Sequence, residues 1–272
     1  MSPERAARAG SATLRRVARG SNESVLTRAV RILEVFTPEE PSLPVSEIAR
    51  RASLHVATAS RLVAELTGHG LLARQPDGRV RIGVRLWELA FRASPALSLR
   101  EAAMPYLEDL HAIVGHHVQL AVLDGGQVLF LERLSAPGAV VNYTRIAGRL
   151  PLHVSSSGVV LLAHADRALQ ERVLAGPLVR YTDATITSPD RLRALLADVR
   201  HRGSVQLDGH VHEEATGIAV PVRDAGGDVV AALSAIVPND GQAHTRIPVL
   251  LAAARGVRRA LNAPPPPWSL IG

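Results

Sequence analysis

The 272-residue sequence contains no cysteine and no lysine, and only 3% of its residues are aromatic. Without cysteine the chain has no disulfide framework, no thiolate nucleophile, no iron–sulfur cluster and no cysteine-ligated zinc site. No apolar run approaches the roughly 18–20 residues that a membrane span needs, and the first twenty residues lack the apolar stretch of a secretion signal. We therefore expect a cytoplasmic protein.

Charge is distributed unevenly along the chain. The formal net charge is +6, and every basic residue apart from histidine is an arginine. Residues 1–92 contain 15 arginines and 9 acidic residues, whereas residues 93–272 contain 16 of each. This asymmetry predicts that the first part meets a polyanion, with nucleic acid as the first candidate. Because 47% of the residues are apolar, a chain of this length can bury two cores, and we expect two domains.

The first third has the pattern of a helix-turn-helix with a wing. Residues 1–22 hold five arginines among small residues, which predicts a disordered basic arm. Three short amphipathic helices follow, and a tight connection at residues 53–55 separates the second from the third. Two short strand-like runs then flank Pro76-Asp77-Gly78, a turn sequence typical of a hairpin.

The remainder predicts an α+β domain. Residues 84–93 form a helix that is apolar over a wide arc, and packing against a second copy of the chain would cover it. A helix follows at residues 99–114, and beyond it the apolar period changes to two, which predicts antiparallel hairpins at 118–134 and 218–237. Helices are predicted between and after them, at 157–165, 167–174, 189–202 and 248–261. Ser188 and Ser46 are the predicted N-caps of two helices.

Six collinear stretches resemble the IclR family of bacterial transcription regulators, from about residue 24 to residue 263. They read SVLTRAVRILEVF, SEIARRASLHVATASRLVAEL, RVRIGVRLWELA, GRLPLHVSSSGVVLLA, LRALLADVRHRGSVQLDG and TGIAVPVRDAGGDVVAALSAIVP. The resemblance implies a winged helix-turn-helix at 23–83, a linker helix at 84–97, a GAF/PAS-like antiparallel-sheet effector domain at 98–263 and a tail at 264–272. It also implies a homodimer or homotetramer that binds double-stranded operator DNA and responds to a small carboxylate or aromatic acid, with repression as the favoured direction of control.

The DNA-binding candidates lie on the third helix and beside it. A recognition helix presents its N-terminal residues to base edges, while other contacts go to phosphates. The predicted base readers are His55, Thr58, Ser60 and Arg61, and the predicted phosphate or minor-groove contacts are Arg50, Arg51, Arg79 and Arg81. The chain departs from the family pattern at two positions, because Ala57 replaces a hydroxyl and Val56 stands where a lysine is frequent.

The effector-binding candidates follow from the resemblance and from a helix N-terminus. Three serines, Ser155 to Ser157, precede an apolar helix, and free amides at such a terminus favour an anion, although ordinary helix capping would need only one of the three. The predicted pocket residues are Leu150, Leu152, Ser156, Ser157, Asp208, Gly217, Ser234 and Ile236. Val159 replaces a lysine of the family pattern. The family also often has a cysteine at Gly217 and a hydroxyl at Ile236, so this pocket is expected to be roomier or more apolar.

Other functions remain open at the level of sequence. His210 and His212, with His153, could bind zinc or nickel, but their spacing fixes no complete ligand set, and we expect neither a metal nor a cofactor. A hydrolase with an accessory DNA-binding module is weakened because the sequence has no Gly-x-Ser-x-Gly elbow and no Gly-rich nucleotide loop. The third alternative is an architectural DNA-binding oligomer without a ligand.

Overall fold

The computed structural model describes residues 23–93 and 95–263. The predicted basic arm at 1–22 and the tail at 264–272 lie outside these residues. The described chain divides into two compact units, one ending at residue 97 and the other beginning at residue 98. Within this described part, no helix has both the length and the apolar character needed to cross a membrane.

The N-terminal unit consists of helices and a small antiparallel sheet. Its elements in chain order are α1 (Val25–Glu34), β1 (Ser42–Leu43), α2 (Val45–Arg51), α3 (Val56–Gly68), β2 (Leu72–Arg74), β3 (Val80–Ile82) and α4 (Val84–Ala93). The strand order is β1-β3-β2. The predicted winged helix-turn-helix is confirmed, and the structure adds β1, which is too short to leave a period in the sequence.

A single apolar core holds the three helices and the wing together. The side chains of Ile32, Ile48, Leu62 and Val80 come from different elements, and each is at most 1% exposed. Ser53 adopts a positive φ of 53° in the turn between α2 and α3, and the Leu54 N–H donates to the Ala49 carbonyl at 2.9 Å. This turn fixes the direction in which α3 leaves α2.

The C-terminal unit is built on six antiparallel strands in the order β6-β5-β4-β9-β8-β7. The strands are β4 (His117–Asp124), β5 (Gln127–Leu134), β6 (Arg149–Pro151), β7 (Val205–Asp208), β8 (Ala215–Arg223) and β9 (Val229–Pro238). The helices are α5 (Pro95–Val114), α6 (Ser156–His164), α7 (Arg167–Ala175), α8 (Pro189–Arg202) and α9 (Ile247–Leu261), with a 3-10 turn at Ala243–Arg246. The predicted α+β class is confirmed.

Helices cover both faces of this sheet. Alternate strand residues point to opposite faces, so Ala219 packs in the core with α6 and α8, whereas Ile218 and Val220 pack in the core with α5 and α9. Because both faces are buried, the central strands read as near-continuous apolar runs, as in the sequence AALSAIV at residues 231–237.

Helix starts agree with the sequence predictions unequally. Ser188 caps α8 by accepting the Arg191 N–H at 3.4 Å, as predicted. The predicted cap at Ser46 is wrong, because α2 already begins at Val45, and its N-cap is Pro44, two residues before Ser46, with no side-chain bond there. Helix α5 begins at Pro95 rather than at residue 99, which a proline tolerates because its missing N–H would be unpaired in a first turn anyway.

Helix α6 is the most deeply enclosed element. Residues 156–163 are all buried, and a helix that is apolar on every side belongs inside a core rather than at a surface. Gly158 permits the close approach of α6 to the preceding chain, since a Cβ at this position would stand 2.3 Å from the Leu152 carbonyl oxygen. The beginning of α6 is therefore set within the core of the unit.

A test of the core uses Gly256 of α9, which packs against the ring of Tyr106 on α5. A Cβ at Gly256 would lie 2.3 Å from a ring carbon of Tyr106, so Gly256→Ala must displace that ring. We expect a loss of about 1–3 kcal/mol in the free energy of unfolding, the usual cost of overpacking, measured by denaturant unfolding. Gly68→Ala in α3 is the control, because a Cβ there meets nothing within 4 Å, and an equal loss in both variants would contradict the packing described here.

Candidate functional site

Helix α3 presents most of its predicted base readers to solvent. His55, Ser60 and Arg61 are exposed and Thr58 is partly exposed, while Ala59 and Leu62 on the opposite side are buried. Val56 is 58% exposed, so an apolar side chain stands at the start of the helix. The Arg61 guanidinium lies 3.4 Å from the Glu65 carboxylate, an open i,i+4 pair. Such a face can enter a major groove, where an exposed apolar side chain can contact a thymine methyl.

Arg50 and Arg51 belong to an ion-pair network with Glu40 and Glu47. Arg51 donates to both carboxylate oxygens of Glu40, at 2.6 and 2.8 Å, and through Nε to Glu47 at 2.5 Å. Arg50 also donates to Glu47, at 2.8 and 2.5 Å. The hydrogen bonds from Arg50 and Arg51 lower the pKa of Glu47 to about 2. The Arg50 side chain is 72% exposed and Arg51 only 25%, so Arg50 is the freer of the two for a phosphate.

The wing arginines also differ in their surroundings. Arg79 donates through Nε to the Ser42 hydroxyl at 3.1 Å and through Nη2 to the Ser42 carbonyl at 2.5 Å, which ties the wing to β1. Arg81 is exposed, and no hydrogen bond or ion pair to another described residue engages its guanidinium. Arg81 is therefore the predicted phosphate contact with the most freedom to reach DNA.

Most of the positive charge lies outside the described part of the DNA-binding unit. Residues 23–97 contain ten arginines and eight acidic residues, whereas residues 1–22 contain five arginines and one glutamate. The unit that carries α3 is thus close to neutral. The first 22 residues therefore carry most of the net positive charge that could attract a polyanion at long range.

A second candidate site is a pocket in the C-terminal unit. It has a volume of about 40 Å³. Three parts of the chain meet there: the N-terminus of α6, the β5–β6 segment and the β7–β8 segment. Its apolar wall includes Phe130, Leu150, Leu207, Gly217 and Ile236. The polar lining residues are Gln119, Asn142, Tyr143, Thr144, Ser155, Ser156, Ser157, His210 and His212.

The three serines at the start of α6 have different roles. Ser155 is the cap, accepting the Gly158 N–H at 3.1 Å, and Ser157 donates to the Ser234 hydroxyl at 2.8 Å. The Ser156 hydroxyl is buried and has no hydrogen-bond partner within the part of the chain that the structure describes. The amides of Ser156 and Ser157 are also free of acceptors among the described residues. One capping bond thus leaves a hydroxyl and two amides at a positive helix terminus, the arrangement that favours an anion.

The segment between β5 and β6 closes the pocket over Gln119 of β4. Gln119 donates through its amide to the Thr144 hydroxyl, and Arg133 donates to the Thr144 carbonyl. The Thr144 hydroxyl in turn donates to Asn142 Oδ1 at 2.8 Å. Asn142 Nδ2 is buried without a partner, so this segment contributes a second unpaired donor to the lining.

Two histidines from the β7–β8 segment complete the lining. His210 Nδ1 lies 3.2 Å from the Asp208 carbonyl, and its Nε2 is buried without a partner. Burial lowers the pKa of His210. His212 Nδ1 accepts the Glu214 N–H at 3.3 Å, and its ring contacts Tyr143 with centroids 5.7 Å apart.

The structure brings together five of the eight predicted effector residues. Leu150, Ser156, Ser157, Gly217 and Ile236 line the pocket. The other three stand outside the lining, because Leu152 packs in the apolar core, Ser234 lies behind Ser157, and Asp208 is exposed and accepts from the Thr216 hydroxyl at 2.9 Å. The assignment of all eight residues to a ligand stays a prediction. The assignment of the DNA-contacting residues also stays a prediction.

The lining residues that the sequence analysis did not identify are mainly polar. The sequence could have indicated Gln119, because it is a lone amide within an otherwise apolar strand pattern. Asn142 and Thr144 lie in an irregular segment that has no period to place them. The sequence indicates His210 and His212 only as candidate metal ligands, and the described residues include no group of three potential ligands that could hold an ion. His153 is buried away from the pocket lining, with Nε2 donating to the Val179 carbonyl at 3.0 Å.

Comparison with known families agrees with this architecture. Residues 25–76 match the IclR helix-turn-helix domain, and residues 92–262 match the domain described as Bacterial transcriptional regulator IclR C-terminal. A winged DNA-reading unit followed by a pocket-bearing α+β unit defines the class, a ligand-sensing transcription factor. The chain belongs to the IclR family of bacterial transcriptional regulators, a family of regulators rather than of enzymes.

Individual relatives support the same assignment. The HTH-type transcriptional regulator XynR of Escherichia coli is 31% identical over 210 residues, covering 76% of this chain and 83% of XynR. An IclR homolog from Microbacterium hydrocarbonoxydans, solved in complex with 4-hydroxybenzoate, is 48% identical with a TM-score of 0.85, covering 89% of this chain and all of that one. A transcriptional regulator from Rhodococcus sp. RHA1 is 29% identical with a TM-score of 0.75, covering 87% of this chain and 97% of that one.

The Glu47 network predicts a specific dependence of stability on pH. The pKa of Glu47 is about 2 in the folded chain against a usual 4.5, so the unfolded chain takes up the proton first as the pH falls. The stabilisation from ionised Glu47 is therefore complete well above pH 4.5 and is lost between about pH 4.5 and 2. We expect the difference in Tm between the wild type and Glu47→Gln to be constant above about pH 5.5 and to narrow below pH 4.5.

The control for this experiment is Glu34→Gln on α1. Glu34 is exposed and makes no ion pair with another described residue, so its variant should show no gap in Tm at any pH. A Glu47→Gln gap that stays unchanged down to pH 2 would contradict the network.

The contrast between Arg81 and Arg51 predicts different effects on DNA binding. Arg81→Ala should weaken binding to duplex DNA and reduce the slope of log K against log salt by about 0.9, the value for one lost phosphate contact. Arg51→Ala should lower Tm and leave that slope unchanged, because its guanidinium is already engaged by two carboxylates. Titrations with a duplex from the region flanking its own coding sequence measure both slopes, and equal slopes for the two variants would disprove the distinction.

Proposed function

We propose that this regulator binds an operator through α3 and the wing, and that a small aromatic carboxylate in the pocket of the C-terminal unit changes its occupancy of that operator. The proposed base readers are His55, Thr58, Ser60 and Arg61. Arg81 is the foremost proposed phosphate contact, and Arg50 and Arg79 are further candidates. Arg51, the fourth predicted phosphate contact, is proposed instead to hold Glu40 and Glu47 in ion pairs. Repression stays the predicted direction of control, and the cytoplasm stays the predicted location.

The observation that carries the ligand proposal is the start of α6. A buried hydroxyl without a partner is rare in proteins, because leaving it unpaired costs about 1–3 kcal/mol. Ser156 places such a hydroxyl in the pocket, beside two free amides at a positive helix terminus. A carboxylate accepts from all three groups, and the surrounding apolar wall suits an aromatic ring.

The relative from Microbacterium hydrocarbonoxydans supports the choice of ligand class. That protein was solved with 4-hydroxybenzoate, and it is 48% identical to this chain. The cavity here, at about 40 Å³, has room for only a few water molecules. A ring of that size therefore requires the segment around Asn142 and Thr144, which belongs to no regular element, to move outward as the ligand enters.

We further propose that the regulator acts as a homodimer or homotetramer. Trp87 and Phe91 of α4 stack with ring centroids 5.0 Å apart, and they are 61% and 53% exposed. We propose that a second copy of the chain covers this face.

The proposed domain scheme is unchanged, with boundaries at 1–22, 23–83, 84–97, 98–263 and 264–272. Residues 84–97 are the proposed linker that couples the pocket to the operator.

A thermal-shift experiment tests the ligand proposal. A ligand that binds only the folded state stabilises it by about 2.7 kcal/mol at a concentration one hundred times its Kd, so 4-hydroxybenzoate should raise the Tm of the full chain. Its analogue 4-hydroxybenzyl alcohol should not, because it lacks the carboxylate. The architectural alternative predicts no shift with either compound.

Gly217 offers a variant that blocks the pocket. A Cβ at Gly217 would stand 2.9 Å from the Ser156 hydroxyl and 3.4 Å from Ile236, so Gly217→Val should fill the space that the carboxylate needs. We expect at least a tenfold weaker affinity for 4-hydroxybenzoate in calorimetry, with DNA binding unchanged. Wild-type ligand affinity in this variant would place the ligand elsewhere.

A further inference from the structure

His210 is held in place by contacts that leave one ring nitrogen free. Its carbonyl accepts from the Thr185 hydroxyl at 2.7 Å, and the preceding Gly209 carbonyl accepts from the Thr182 hydroxyl at 2.6 Å. The imidazole Nδ1 lies 3.2 Å from the Asp208 carbonyl. Only Nε2 has no partner, although it is buried and the residue lines the pocket. The backbone and ring are thus fixed with Nε2 left for another group.

The contacts of the ring determine what Nε2 can do. A carbonyl oxygen only accepts, so Nδ1 must carry the hydrogen that it donates to Asp208. Burial lowers the pKa of His210, which favours the neutral imidazole. In this tautomer Nε2 has a lone pair and no hydrogen. It is therefore a hydrogen-bond acceptor, and it has no donor among the described residues.

The other unpaired groups of the lining have the opposite character. The Ser156 hydroxyl and the Asn142 Nδ2 are buried without partners, and both can donate, as can the free amides at the start of α6. The second histidine does not duplicate His210, because His212 Nδ1 already accepts the Glu214 N–H, which leaves the hydrogen on its Nε2. Among the buried side-chain atoms of the described pocket lining that lack a partner, His210 Nε2 is the one fixed as an acceptor.

We propose that His210 is a specificity-determining residue that selects ligands carrying a hydroxyl in addition to the carboxylate, the hydroxyl donating to Nε2. This inference rests on the proposed function, because it assumes an aromatic acid in this pocket. The carboxylate satisfies the donors at the start of α6, and the hydroxyl satisfies the acceptor on the β7–β8 segment. A ligand with both groups thus pairs both the Ser156 hydroxyl and His210 Nε2, which are otherwise unpaired.

The energetic consequence is discrimination between acids of similar shape. An acid without the hydroxyl removes any water from Nε2 and offers nothing in return, so the acceptor stays buried and unpaired. Sites that bond a ligand hydroxyl reject analogues that lack it much more strongly than apolar pockets discriminate by size. We expect the full chain to bind 4-hydroxybenzoate about tenfold to a hundredfold more tightly than benzoate or 4-fluorobenzoate.

Calorimetric Kd values of the full chain for these three acids test the inference. In His210→Leu, which removes the acceptor, the preference for 4-hydroxybenzoate over 4-fluorobenzoate should fall to about one. His210→Gln, whose amide oxygen can accept at a similar reach, should restore part of it. His212→Leu is the matched control from the same lining, and it should shift the affinities for all three acids together, leaving their ratios unchanged.

The possible outcomes separate this inference from the proposed function. If none of the acids binds the wild type, both fail. If all three bind the wild type with equal Kd, the carboxylate pocket stands and the role of His210 is refuted, a result that needs no variant to fold. A preference that persists in His210→Leu, or that disappears equally in His212→Leu, also overturns the assignment.

Discussion

A helix enclosed on every side must begin where its free N–H groups can find acceptors, and this constraint shapes the C-terminal unit. Residues 156–163 of α6 are all buried. The free N–H groups of its first turn therefore cannot donate to bulk water, as those of an exposed helix do. Ser155 satisfies one amide. Ser156 and Ser157, whose amides have no acceptor among the described residues, line the pocket. The enclosed start of the helix therefore leaves an unpaired hydroxyl beside a cavity, and this is the basis of the proposed anion site.

The other lining residues are consistent with a proposed anion site at the start of α6. Gly217 has no side chain where a Cβ would crowd Ser156, which keeps the space in front of the hydroxyl open. Gln119 and Thr144 bond to each other, so they close the pocket without competing for a ligand. The polar atoms that stay unpaired among the described residues are few. Those of Ser156 and His210 belong to segments that other contacts hold in place, and the segment around Asn142 and Thr144 is the part that we propose moves to admit a ring.

The sequence predicted the elements that leave a period or a turn signature. The Pro76-Asp77-Gly78 turn located the wing, and alternation in β3 correctly put Val80 inside and Arg81 outside. Strand β1, of two residues, is too short to show a period. Strand β6 has three residues, like β3, but no short turn connects it to β5, the strand with which it pairs. Asn142 and His210 could not be placed, because their position depends on how irregular segments fold over the sheet. The ion pair between Arg51 and Glu40, eleven residues apart, is likewise a tertiary contact, and no local sequence pattern predicts it.

The central claim is that pocket and operator are coupled, and coupling is reciprocal for equilibrium binding. If 4-hydroxybenzoate changes the affinity of the full chain for its operator by some factor, the operator must change the affinity for 4-hydroxybenzoate by the same factor. The most direct measurement is the Kd of 4-hydroxybenzoate with and without saturating operator DNA. We predict a change of about 5-fold to 150-fold that equals the effect of the ligand on operator binding. An identical Kd in both conditions would contradict the account.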